Sequence, residues 1–135
     1  MTSGYSARPL GRKLGLKAGM RCWFDAMPED VRAEILCEAP DMVLLDGPEA
    51  PMDLAHIFVT ECAMLACKLR LLLPLIARDG TIWVSWPKKS AKAVTDISED
   101  LIRTIALPLQ LVDVKVCAVD EIWSGLKLVI RREHR

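Results

Sequence analysis

Apolar residues come in short runs separated by charged and proline-bearing stretches, and the spacing inside each run limits what it can form. Met20 to Ala26 (MRCWFDA) is a brief apolar run ending near Asp25 and predicts a buried strand. Pro28 suits the first turn of a helix, where its missing N–H goes unused, and Glu29 and Asp30 suit the positive end of the helix dipole. Val31, Ile35 and Leu36 give that helix an apolar stripe as far as Glu38, and Pro40 stops it. Asp41 to Asp46 (DMVLLD) predicts a second strand, Gly47 to Asp53 a loop, and Leu54 to Val59 a third strand. Thr60 predicts the cap of a long helix running towards Arg78, kinked or interrupted at Pro74 and stopped at Gly80. Thr81 to Trp86 predicts a fourth strand, Lys88 to Val94 a loop, and Asp96 or Ser98 the cap of a helix reaching Leu107. Val112 to Ala118 alternates apolar residues with Asp113 and Lys115, as a half-exposed strand does. Gly125 to Arg131 (GLKLVIR) is the last strand, reached through a hairpin link, Val119 to Ser124.

Helices between strands place those strands in a mostly parallel sheet with helices packed on it. The expected architecture is α/β: a mixed sheet of about six strands ordered 2-1-3-4-6-5, the last strand alone antiparallel, with helices on both faces. Residues 1–19 are polar and glycine-containing, and Leu10 and Leu14 stand one helical turn apart. They read as an arm docking onto a single domain formed by residues 20–135.

Composition narrows the function classes. Half of the 135 residues are apolar, enough for a core without disulfides or metal, and the formal net charge is zero. No global field draws the chain to nucleic acid or to an anionic membrane. Arg12, Lys13, Lys17, Lys88, Lys89 and Lys92 read first as solvated surface. The five cysteines include no C-x-x-C pair, and only His56 and His134 could add imidazole ligands, so no metal site is expected. An odd cysteine count with no signal peptide argues against a disulfide framework, and a cytoplasmic location is expected. The run from Leu71 to Ala77 is far short of a membrane span.

The lead LGLKAGMRCWFD, the strand RDGTIWVSW behind a long helix, and the closing antiparallel pair resemble the Rossmann-type methyltransferases. That resemblance implies a shortened Rossmann-like fold of methyltransferase type. GYS at residues 4–6, WPKK from Trp86 to Lys89, and DVKVCAVDEIWSGLKLV from Asp113 to Val129 resemble a family of small bacterial proteins that carries over no activity, substrate or catalytic residue.

A methyltransferase of that type holds its adenosyl cofactor at the carboxyl ends of strands one and two, and needs a glycine turn there for close backbone approach. Here the turn reads Asp25-Ala26-Met27-Pro28-Glu29-Asp30, with no glycine. Asp25 and Asp46 are the cofactor-binding candidates under that reading, Asp46 as a ribose-binding acid, although an Asp before Gly47 also suits a plain turn. The short second crossover, Gly47 to Asp53, is expected to pass over the carboxyl end of strand one and plug the pocket. No cofactor is therefore expected.

Other candidates cluster near the strand ends. Trp86, Lys88 and Lys89 follow the fourth strand, at the edge where open α/β sheets bind ligands, and two ammonium groups beside an indole suit an anion. Trp123 and Ser124 lie in the hairpin turn and are candidate contacts for a ligand or partner; a plain lysine loop and a packed tryptophan are the alternatives. His56 reads as a satisfied core or edge histidine, and Tyr5 and Ser6 as residues of an arm that simply docks or closes over a site. On the long helix Glu61, Lys68 and Arg78 leave only a narrow polar stripe with Arg70 opposite, which suits burial on two sides or a homodimer. The reading that results is a non-enzymatic binding or regulatory protein on a methyltransferase-like scaffold, taking a protein partner or a small anionic ligand. The alternative is a minimal adenosylmethionine-dependent methyltransferase with an atypical cofactor site. RNA binding through Lys88, Lys89 and Lys92 ranks last, and no membrane partner is expected.

Overall fold

Cys22 and Phe24 alternate with Trp23 along the first strand, so each face of the sheet receives its own apolar set. A computed structural model describes residues 9–39 and 41–135. Tyr5, Ser6, the GYS motif and the expected stop at Pro40 lie outside the described residues. The strands are β1 (Arg21–Asp25), β2 (Val43–Leu44), β3 (Met52–Phe58), β4 (Ile76–Pro87), β5 (Leu111–Ala118) and β6 (Trp123–Ile130). The helices are α1 (Leu10–Lys13), α2 (Glu29–Glu38), α3 (Cys62–Leu72) and α4 (Glu99–Ala106). The sheet runs β2-β1-β3-β4-β6-β5, and β6 alone is antiparallel to its neighbours. That is the order and the single reversal that the sequence predicts.

Two apolar layers sandwich the sheet. Leu65, Leu69 and Leu72 of α3 and Ile102 and Ala106 of α4 pack on Ala55, Ile57, Ile82, Val84, Leu126 and Leu128. On the other face Leu10 and Leu14 of the arm and Val31 and Ile35 of α2 pack on Cys22, Phe24, Leu54, Phe58 and Trp83. The arm is fixed by the indole Nε1 of Trp83, which donates to the carbonyl of Leu14 at 2.9 Å, and by Lys13 Nζ, which donates to the carbonyl of Ala118 at 2.7 Å. Among the described residues no helix is long and apolar enough to cross a membrane.

Three expectations are corrected. The long helix ends at Leu72 rather than Arg78: Pro74 terminates it, and β4 begins at Ile76, so Arg78 and Gly80 belong to a strand. The expected Thr60 cap is replaced by a distant one, since the carboxylate of Asp96 accepts from the Cys62 N–H at 2.7 Å. The crossover from β2 to β3 does not pass over the carboxyl end of β1. It lies against the first residue of β1: Arg21 Nε donates to the carbonyl of Pro51 at 2.7 Å, and its guanidinium lies 3.6 Å from Glu49. β2 is only two residues long and level with Arg21 and Cys22, so the chain turns back before it reaches the ligand edge.

Candidate functional site

The carboxyl end of β4 opens into a cleft of about 610 Å³. Trp86 and Pro87 form its floor at the strand end, and Lys88 and Lys89 leave the strand along one wall. The chain then makes a 3₁₀ turn, Lys89–Ala91, and reverses through a left-handed Lys92 (φ 56°). Thr95 anchors the returning segment, its hydroxyl donating to the carbonyl of Thr60 at 2.7 Å and accepting from the Ile97 N–H at 3.1 Å. Ser98 caps α4 by accepting from the Leu101 N–H, and this helix start brings Ser98, Glu99 and Asp100 to the opposite wall. Ser124, paired with Trp86 across β4 and β6, completes the lining.

Of the residues singled out from the sequence, Trp86, Lys88, Lys89 and Ser124 come together here. Trp123 does not: its ring meets Phe58 edge-on at 5.0 Å on the opposite face of the sheet. The strand-end rule located the WPKK side; the far wall, Thr95 to Asp100, was missed. Ser98 capping the last helix is the signal that could have found it, because it places a helix start beside a strand end.

Electrostatics give the two walls different roles. Arg103 binds Glu99, Asp100 and Asp113 together, with Asp100 at 3.0 Å and Asp113 at 2.8 Å. Hydrogen bonds from Arg103 hold the Asp113 carboxyl below its ordinary range. Arg103 thus engages both acids of that wall, Glu99 and Asp100, and offsets part of their negative charge. Lys88 Nζ donates to the carbonyl of Asp120 at 2.7 Å and its N–H donates to the carbonyl of Ile122, so this lysine also ties down the β5–β6 hairpin. Lys89 is exposed at the rim.

The carboxyl end of β1 is built differently. Asp25 ends the strand and is paired with Lys68 of α3, each side chain largely withdrawn from solvent. Ala26 adopts the left-handed conformation (φ 56°) that a glycine adopts without strain, and Pro28 follows without an N–H. Asp46 is exposed in the bend after β2. A cofactor approaching this turn meets a Cβ where it needs bare backbone, and an acid already engaged by an internal ammonium. These residues do not fit adenosylmethionine.

One further polar pair lies inside the sheet. His56 Nε2 and Ser85 Oγ are 2.7 Å apart with both residues fully buried, and His56 Nδ1 has no partner. Burial lowers the imidazole pKa to about 3. Cys22 is likewise buried, its thiol pushed up to about 12 by burial and then by Asp53, and it behaves as a small apolar residue. Among the described residues no group of three metal-ligating side chains is brought together.

No protein-family model and no curated protein sequence matches the chain. Solved structures do match in fold. Ribosomal protein L11 methylase from Lactobacillus delbrueckii subsp. bulgaricus is 10% identical with a TM-score of 0.56, over 91% of this chain and 76% of that one. A TehB-like SAM-dependent methyltransferase from Corynebacterium glutamicum is 9% identical with a TM-score of 0.56, over 96% and 91%. Fibrillarin from Aeropyrum pernix, solved with natively bound S-adenosyl-L-methionine, is 12% identical with a TM-score of 0.55, over 89% and 73%. The scaffold is therefore that of the Rossmann-like methyltransferases.

Proposed function

We propose that this methyltransferase-fold chain is a ligand-binding protein of the cytoplasm whose working site is the cleft between β4, α4 and the β5–β6 hairpin, and whose ligand is a small anion. The observation that carries this reading is the charge arrangement. Arg103 engages Glu99 and Asp100 of the acidic wall and offsets part of their charge, while Lys88 and Lys89 line the other wall beside Trp86. The Asp25–Lys68 pair at the usual cofactor position supports a binding role over a catalytic one.

A second reading, a minimal adenosylmethionine-dependent methyltransferase with an atypical cofactor site, is the one the structural likenesses favour. All three proteins above share the fold, and one holds the cofactor. The left-handed turn at Ala26 also supports it, since it reproduces the backbone path of a glycine turn.

Calorimetric titration separates the two. Under the binding reading inorganic phosphate gives heat that Lys89→Ala weakens by about 1 kcal/mol or more, as expected for a charge-assisted contact, and adenosylmethionine gives none. Lys89 is the cleaner substitution, because Lys88 also holds the hairpin. A micromolar dissociation constant for adenosylmethionine decides for the methyltransferase.

A further inference from the structure

Lys127 of β6 is half-buried, and the residues beside it on the same sheet face are not acids. The β4–β6 register sets Trp83 next to it, and the β5–β6 register sets Lys115 directly opposite. The arm crosses this row where Trp83 bonds the carbonyl of Leu14, and Gly15, Leu16 and Lys17 follow at once. Burial pulls the Lys127 ammonium below the ordinary lysine pKa, with Lys115 and then Lys17 adding to the effect. Among the described residues none of these three lysines has a carboxylate ion pair.

Like charges directly opposite on paired strands destabilise a sheet, and a half-buried ammonium has lost part of its hydration. An anion seated among the three reverses both effects. We propose that Lys17, Lys115 and Lys127 form a second anion site, separate from the cleft, for a small ligand carrying a diphosphate or an equivalent pair of phosphate groups. Ammonium groups bind phosphate as point charges, and three of them match the charge of a diphosphate. Lys115 and Lys127 sit one strand spacing apart, about 5 Å, which suits a small ligand, and a chain of zero net charge offers no extended field for a nucleic-acid backbone.

The test is thermal unfolding with inorganic pyrophosphate, against sodium chloride at matched ionic strength. The wild type gains about 3 °C or more from pyrophosphate at ten times its dissociation constant, and sodium chloride does not reproduce the gain. Lys127→Met raises the ligand-free midpoint and loses the pyrophosphate gain. Lys115→Gln, at an exposed position that threatens no packing, loses the gain as well, whereas Lys89→Ala keeps it. A flat wild-type response overturns the site, as does a rise matched by sodium chloride or one that survives both Lys115→Gln and Lys127→Met. A short single-stranded RNA that stabilises more than pyrophosphate at equal phosphate overturns the small-ligand assignment.

Discussion

The imidazole of His56 lies wholly inside the sheet, stacked on Phe58 at 4.5 Å and tilted against Trp83. Its charged form has no counter-ion there, which makes its titration a stability statement. Folded, the ring takes a proton only near pH 3; in the unfolded chain it does so near 6.5. Above 6.5 both states hold the neutral ring and stability is complete. Below 6.5 the unfolded chain binds a proton that the folded chain refuses, and the loss reaches about 2 kcal/mol at pH 5, growing until pH 3. Denaturant midpoints at pH 7 and pH 5 measure this, and His56→Gln is expected to flatten that part of the slope. The sequence predicts a satisfied histidine in the core or at the sheet edge; the ring lies in the core, and the Ser85 contact satisfies only one nitrogen, since Nδ1 stays unpartnered. Ser85 lies 29 positions away and reaches His56 only through the β3–β4 register, which single-sequence patterning does not supply. The lysine row was hidden for the same reason. Lys115 meets Lys127 only if the hairpin centres on Glu121, and a slip of one residue turns one of the two side chains to the other face.

At the scale of elements, the segment from Leu71 to Ala77 marks where sequence patterning reached its limit. Its apolar run continues the helix without a break in hydrophobicity, so only Pro74 distinguishes an ending from a kink. The deciding factor was tertiary: the Met52 N–H donates to the carbonyl of Leu75, joining β3 to the segment leading into β4. Gly80 then serves close strand approach, not a helix stop. A Cβ added there meets Ile76 Cγ1 at 2.8 Å, the Ala77 carbonyl at 3.0 Å and the Asp53 carbonyl at 3.1 Å. Gly80→Ala is predicted to destabilise by about 2 kcal/mol, read as a lowered denaturant midpoint with an unchanged slope. The shorter α3 also changes the surface argument. Leu65, Leu69 and Leu72 are buried, while Met64 and Leu71 are about half exposed beside Arg70. A homodimer, one of the two readings offered for this helix, thus keeps an apolar face to use, and light scattering at micromolar concentration tests it: twice the 15.1 kDa chain mass supports the pairing, and a clean monomer ends it.

For the whole molecule, strand order and the single reversed strand were legible because helices punctuate every parallel crossover except one, and a short turn joins the last two strands. The path of the exceptional crossover was not legible. A seven-residue link spans the sheet over either end, and the choice fell to Arg21, whose guanidinium gathers Pro51 and Glu49 at the amino edge. The carboxyl end of β1 is therefore closed by the Asp25–Lys68 pair and not by a loop. Lys68→Ala is predicted to leave Asp25 exposed to cations, with a weak adenosylmethionine signal in thermal shift where the wild type shows none. Equal responses in the two proteins reject that account.

The bond between Leu14 and Trp83 joins residues 69 positions apart, and this sets an order of events at the ribosome. At about 5–20 residues per second the arm is made roughly 3–14 s before the indole that anchors it. During that interval Leu10 and Leu14 have α2 and β1 to rest on, but not the strand that locks them. The arm is thus secured only after β4 has been made and has joined the sheet, well after the arm itself.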